Sequence, residues 1–268
     1  MSNVVTNRMP AIFFGHGSPM NALQDNRYTA AWEQLGARVT ALKPRAILSI
    51  SAHWYTRGTS VTAMPMPKTI HDFGGFPQAL FDIQYPAAGD PALAAQVRDL
   101  LAPTTVGMDD SWGLDHGTWS VLVKAFPKAD VPVIQLSIDA TQPPQFHLEL
   151  GRKLAVLREQ GVLIIGSGDV VHNLRLANWS PHAPARDWAM RFNTTIRESL
   201  LAGDVQKVTD YAALGEDGQL SVPTAEHFLP LLYVIGTQQD GEAISIPVDG
   251  IEMGAISMMS VVVGAVED

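Results

Sequence analysis

The chain has 268 residues, enough for one large domain with a full core. It carries 18 Lys and Arg against 27 Asp and Glu, a formal charge of −9, which argues against nucleic-acid binding as its main role. It has no cysteine, so disulfides, thiolate metal sites and a cysteine nucleophile are excluded, and any metal must rest on histidine and carboxylate. Met1–Arg8 lacks the charged start and apolar core of a signal peptide. No apolar run approaches the roughly 20 residues that span a bilayer. The expectation is a cytoplasmic protein that binds neither nucleic acid nor membrane.

In chain order, Ala11–Gly15 is apolar on consecutive residues and reads as a buried strand. It ends in Gly15-His16-Gly17, where the glycines permit positive φ or a close backbone approach beside the histidine. Tyr28–Leu42 spaces Trp32, Leu35, Val39 and Leu42 by three and four, a helical stripe. Ala46–Ser51 reads as a strand followed by His53, with Trp54 and Tyr55 as candidate walls of an aromatic pocket. Thr59–Met64 is a further strand. Met64–Pro86, rich in Pro and Gly, reads as a long ordered loop carrying His71 above a site. Asp90–Leu101 opens with Asp-Pro and reads as a helix. His116 follows Asp115 in "WGLDHGTWSVL". Val131–Ile138 is a strand and Pro143–Gln160 a helix, with Gly161 at its C-cap.

Gly161–Ser167 is the next strand, and "GSGDVVHNL" carries His172 just beyond it. Arg186–Leu201 and Val205–Leu214 read as helices, and Ile256–Val263 as the last strand. In "SVPTAEHFLPLLYVIG", Pro230 cannot donate to the Glu226 carbonyl, so the backbone is irregular where Glu226 and His227 point outward. His147, inside a helical pattern, and His182, after Ser180-Pro181, read as solvated or capping histidines. Strands alternating with helices predict an α/β fold: a single domain over residues 1–268, with a mostly parallel central sheet covered by helices on both faces. Ligands of such sheets bind at the carboxyl ends of strands, where His16, His53 and His172 would meet. His71 and Trp54 are the substrate-binding candidates. Phe73, Phe76, Trp112 and Tyr233 are further aromatic ones, while Arg57, Arg175 and Lys124 are solvated charges that a carboxylate tail could meet.

"GHGSPMNAL", "SAHWYTRGTSVTAM", "TIHDFGGFPQALFDIQYPAAGDP", "GLDHGTWSVLVKAFP", "GSGDVVHNLR" and "PTAEHFLPLLYVIG" run in this order over almost the whole chain. Together they resemble the class III extradiol ring-cleaving dioxygenases of the LigB-like superfamily, and within them the 4,5-DOPA extradiol dioxygenase family. The resemblance implies one active site with a divalent metal: iron(II) for activity, with zinc(II) the other metal found on related proteins. It implies His16 and His53 as metal ligands and His227 as the third, with Glu226 the competitor because the wider superfamily uses a carboxylate there. His172 matches the family's acid/base histidine and a fourth ligand to zinc. His116 resembles a histidine that contacts substrate or oxygen.

Oxygen-activating iron(II) keeps positions open beside three protein ligands, and a catechol takes two of them, so His172 is expected as the base. An imidazole can take a catechol proton near neutral pH and return it. Asp72, Asp115 and Asp169 are candidates to orient a histidine. The implied reaction opens the ring of a catechol with O2 to a semialdehyde, the substrate being L-DOPA, caffeate, dihydroxyphenylacetate or a relative. Two rivals are a zinc hydrolase, for which no HExxH spacing exists, and a metal-free binding module on the same fold.

Overall fold

The computed structural model describes residues 8–180 and 183–266. Strands and helices alternate through β1 (Ala11–Gly15), α1 (Arg27–Ala41), β2 (Ala46–Thr56), β3 (Thr59–Thr62), α2 (Gln78–Phe81), α3 (Pro91–Leu100), β4 (Val106–Asp109), α4 (His116–Ala125) and β5 (Val133–Asp139). They continue through α5 (Pro144–Leu154), α6 (Val156–Glu159), β6 (Val162–Gly168), α7 (Asp187–Leu201), α8 (Val205–Thr209), α9 (Gly215–Ser221) and α10 (Leu229–Gly236). The chain closes with β7 (Ile244–Val248), β8 (Ile251–Glu252), β9 (Ile256–Ser257) and β10 (Ser260–Val263).

An eight-stranded sheet has the order β4-β3-β5-β2-β6-β1-β10-β7. Its centre, β5-β2-β6-β1, is parallel throughout, and antiparallel pairing enters at β3–β5, β1–β10 and β10–β7. The consecutive apolar residues of β1 and β6 follow from cover on both faces. Ile12 and Phe14 pack with Trp32 and Leu35 of α1 and Trp119 of α4. Ala11 and Phe13 face the opposite layer, with Leu93 of α3, Leu148 of α5, Phe192 of α7 and Leu232 of α10. The architecture is the expected mixed α/β fold, with a mostly parallel sheet flanked by helices. No helix among the described residues is long and apolar enough to cross a membrane.

Local differences from the sequence reading have physical causes. Helix α4 has eight of its residues buried, so it shows no polar face for periodicity to detect. The same holds for α10, buried along its whole length. Strands β4 and β7 lie at the sheet's two edges and are half exposed, β4 being only four residues long and β7 interrupted by Pro247. The run Ile256–Val263 is divided: β9 pairs with β8, and only β10 joins the large sheet. The predicted helix Pro143–Gln160 breaks at Ala155 into α5 and α6.

Candidate active site

Strands β1, β2 and β6 end side by side, with Gly15 opposite Gly168 and Ser51 opposite Ser167. His16 follows β1 directly, and its N–H donates to the Gly168 carbonyl at 2.9 Å. His53 lies inside β2 rather than beyond it. The register of β2 against β5 shifts between Ile50 and Tyr55, a bulge of the kind that re-aims a side chain. His227 comes from a turn just before α10, and Pro230 sits in the helix's first turn, where its missing N–H costs nothing. That turn lies tight on β6: Asp169 N–H donates to the His227 carbonyl at 2.9 Å, and a Cβ on Gly168 would collide with the same carbonyl. His116 opens α4 behind its N-cap Asp115, whose side chain accepts from Thr118 N–H. Gly17 lies at φ +59° and donates its N–H to Asp169 Oδ1 at 2.9 Å. Gly15 serves another purpose than a ligand's approach: the Met258–Met259 backbone occupies the space of its missing side chain.

Five histidines thereby meet. The ring centroids of His16, His53 and His227 lie 5.2, 5.3 and 5.1 Å apart. One ring nitrogen from each falls within 4.8 Å of the others, a spacing that a metal ion can bridge. His116 packs on His53 at 3.7 Å, and His172 stacks on His227 at 3.5 Å with planes 7° apart. Two overlapping groups, His53-Asp72-His116 and Asp169-His172-His227, satisfy the same spacing.

The ring nitrogens away from the centre face oxygen atoms. Ser167 Oγ gives its one proton to the Gly117 carbonyl, so it accepts from His16 Nδ1–H at 2.9 Å. His16 Nε2 then carries a lone pair towards the centre, 3.4 Å from His53 Nε2 and 3.3 Å from Asp169 Oδ2. His53 Nδ1 lies 3.6 Å from Asp72 Oδ2, and His116 Nδ1 lies 2.9 Å from Asp72 Oδ1. His227 Nδ1 faces Glu226 Oε1 at 3.3 Å. Of the three carboxylates considered from sequence, Asp72 orients two histidines. Asp169 holds Gly17, and Asp115 accepts from Ser51 Oγ at 2.6 Å and from Gln135. Glu226 stands outside every metal-spaced group and braces His227 instead.

Burial keeps His16, His53, His172 and His227 neutral. It lowers His16 and His227 well below the ordinary histidine range, aided by mutual repulsion with neighbouring imidazoles. It takes His53 to about 3 and His172 to about 4. For Asp72, burial pushes upward but the hydrogen bonds from His116 outweigh it, leaving the carboxyl below its usual range. Asp169, buried with Oδ2 lacking a hydrogen-bond partner, is held well above it. Ring nitrogens of His16, His53 and His227 converge beside a buried carboxyl oxygen of Asp169, and imidazole donors suit iron or zinc. The residues fit a divalent metal.

These histidines open onto a cavity of about 230 Å³, walled by Phe73, Phe76, Leu174, Trp179, Met253 and Ile256. Two substrate-binding candidates lie elsewhere. Trp54 is buried and stacks on Trp112 at 5.7 Å, off the cavity lining. His71 sits behind Phe73 and Trp119, its Nε2 2.9 Å from the Ile83 carbonyl. Tyr55 is exposed, Tyr233 is buried in α10, and Lys124 pairs with Asp25 at 2.7 Å. Neither Arg57 nor Arg175 lines the cavity. His147 is corrected outright: it is fully buried, with Nδ1 3.0 Å from Tyr233 Oη, because α10 covers that face of α5. His182 lies outside the described residues. Leu174, Trp179 and Met253, absent from the sequence reading, come from irregular segments with no periodicity to mark them.

The chain is similar over most of its length to known proteins. The family model described as the catalytic LigB subunit of aromatic ring-opening dioxygenase matches residues 10–263. The chain is 54% identical over 261 residues to a 4,5-DOPA dioxygenase extradiol of Escherichia coli K12, covering 96% of this chain and 95% of that one. It is 38% identical over 235 residues to the Beta vulgaris protein of the same name, covering 84% of this chain and 85% of that one. The crystal structure of an uncharacterized protein from Escherichia coli K12 superposes with a TM-score of 0.83 at 47% identity, covering 96% of this chain and all of the other. Matched from β1 to β10, the chain belongs to the LigB family of aromatic ring-opening dioxygenases, and it is an extradiol dioxygenase.

Proposed function

We propose that the protein opens the ring of a catechol-type substrate, a dihydroxyphenyl compound such as L-DOPA, with O2 and a divalent metal, to a ring-opened semialdehyde, in the cytoplasm. The relatives' printed names support the substrate class. In this reading His16, His53 and His227 hold the metal through the nitrogens that face one another. Iron(II) is the active ion, and zinc(II) fits the same donors. The observation that carries it is the convergence of these nitrogens within 4.8 Å while Ser167, Asp72 and Glu226 engage the opposite ring positions.

When bound, the metal supplies a Lewis-acid centre that acidifies the diol and brings it together with O2. The protein's own residues do the rest. His172, neutral through burial, lines the cavity and takes a proton from a substrate hydroxyl, then returns it to the product. His116, whose backbone N–H donates to Asp72 Oδ1, faces the substrate beside it. Phe73 and Phe76 close one side of the cavity against water. Glu226 is a brace for His227 and not a ligand, and His172 is a base and not a permanent fourth ligand.

The test is anaerobic loading with iron(II), followed by oxygen uptake and visible spectra with L-DOPA and a panel of catechols. Consumption of one O2 per ring with a coloured ring-opened product is expected. A folded, iron-loaded protein that consumes no O2 with any catechol refutes the reading.

A further inference from the structure

Five polar side chains lie fully buried in the central strands β2 and β5 and at the start of α4: Ser49, Ser51, Gln135, Asp115 and Thr118. Polar groups in such a place cost stability unless they are satisfied. Here they satisfy one another. Thr118 Oγ1 donates to Gln135 Oε1 at 2.9 Å, which leaves it to accept from Ser49 Oγ at 2.8 Å. Gln135 Nε2 donates to Asp115 Oδ2. Ser51 Oγ donates to Asp115 Oδ1 at 2.6 Å, and Thr118 N–H donates to the same oxygen at 3.2 Å.

Capping α4 asks one acceptor of Asp115, and the bond from Thr118 N–H meets that need. The bond from Ser51 does something else. Ser51 Oγ gives its proton to Asp115, so it accepts in turn, and its donor is the backbone N–H of His53 at 3.2 Å. That N–H lies where the register of β2 against β5 shifts, between Ile50 and Tyr55. The relay from Asp115 through Ser51 thus holds the backbone at the point where the strand bends to aim the imidazole.

The same turn reaches the other rings. His116 donates its backbone N–H to Asp72 Oδ1 at 2.9 Å and packs its ring on His53 at 3.7 Å. Gly117 is pressed against β2, where a Cβ would collide with Ser51 Oγ and His53 Cδ2. The Gly117 carbonyl accepts from Ser167 Oγ, which leaves Ser167 to accept from His16. Three consecutive residues, Asp115, His116 and Gly117, therefore each bear on a different part of the histidine cluster.

We propose that Asp115 is a positioning residue of this site. Through Ser51 it fixes the backbone of His53, and as the cap of α4 it holds His116 against the same imidazole. One carboxyl group sets the metal-facing ring and the substrate-facing ring as a unit. The proposal rests on the reading of His53 as a metal ligand and adds the residue that aims it.

The experiment compares Ser51→Ala, Asp115→Ser and Asp115→Asn with the parent protein. Ser51→Ala removes the relay and leaves the cap. Asp115→Ser trades the carboxyl for a shorter capping hydroxyl. Asp115→Asn keeps an oxygen for Ser51 and Thr118 and gives up the acceptor for Gln135. Zinc(II) affinity is read by chelator competition, and Tm and imidazole 15N–1H spectra are read on the metal-free proteins. Ser51→Ala and Asp115→Ser should weaken zinc(II) binding about 10–100-fold, while Asp115→Asn stays close to the parent whatever it loses in Tm. The His53 signals should move in Ser51→Ala, those of His53 and His116 in Asp115→Ser, and those of His147, sealed between α5 and α10, in neither. Where Asp115→Ser fails to fold, Ser51→Ala carries the test. Zinc(II) affinity that follows Tm across the variants means that Asp115 only holds the fold together, and overturns the proposal. So does parent-like affinity in Ser51→Ala. A parent protein that binds neither zinc(II) nor iron(II) refutes the ligand reading, and the spectra then decide alone: a moved His53 signal in Ser51→Ala upholds the positioning role, and an unmoved one overturns it.

Discussion

Ser167 decides which nitrogen of His16 faces the active site. Its hydroxyl proton goes to the Gly117 carbonyl, so only its lone pairs are left for His16 Nδ1–H. Ser167→Ala should leave the fold intact and weaken metal binding about 10–100-fold, read by chelator competition, because the buried Nδ1–H loses its acceptor. Unchanged affinity would remove Ser167 from this role. His172 poses the second question at this scale. His172→Ala is expected to bind metal and substrate anaerobically while kcat falls about 10²–10⁴-fold. Undiminished turnover would exclude it as the base. Both residues sit in one motif, "GSGDVVHN", yet only His172 was legible there as chemistry. A serine after a glycine has many structural uses, and its partner lies 151 positions away.

Between elements, the packing of α5 on α10 corrects the reading of His147. Gly151 and Gly236 let the two helices approach to a distance that any Cβ would obstruct, since each would collide with a carbonyl of the partner helix. His147 is sealed between them, and burial lowers its pKa to about 4. The unfolded chain accepts this proton near the ordinary histidine value of about 6.5, but the folded chain holds out to about 4. Its contribution to stability is therefore complete above about pH 6.5 and lost as pH falls towards 4, on the order of 3 kcal/mol in all. Urea unfolding at about pH 7 and about pH 4.5 should show a smaller difference for His147→Leu than for the parent protein. Equal differences would mean that His147 carries no such burden. Helical periodicity alone marked α5, but it could not reveal that α10, apolar all round, would bury the histidine-bearing face.

On the scale of the whole molecule, the candidate ligands are drawn from the amino-terminal strand, the second strand and the turn before α10. A metal bridging His16, His53 and His227 ties these distant segments together in the folded state only. At about 1,000 times its Kd it adds about 4 kcal/mol, or about 10 °C in Tm for a chain of this size. Calorimetry with and without iron(II) or zinc(II) should show this shift in the parent protein and its loss in His16→Ala. A metal-independent Tm in the parent would contradict a metal link across the sheet.

The sequence by itself determined the strands of the parallel core, the helices with an apolar stripe, the placing of His16 and His172 just past strands, and the family. Those signals are local: apolar runs, helix stripes, glycines and proline around single histidines. Tertiary structure alone decided which rings meet, that Ser167, Asp72 and Glu226 orient them, and that Trp179 and Leu174 rather than Trp54 and His71 wall the cavity. The direction of a side chain in a bulge or an irregular segment is set by what packs and hydrogen-bonds against it. Here those partners come from the opposite strands and from segments more than a hundred residues away in sequence.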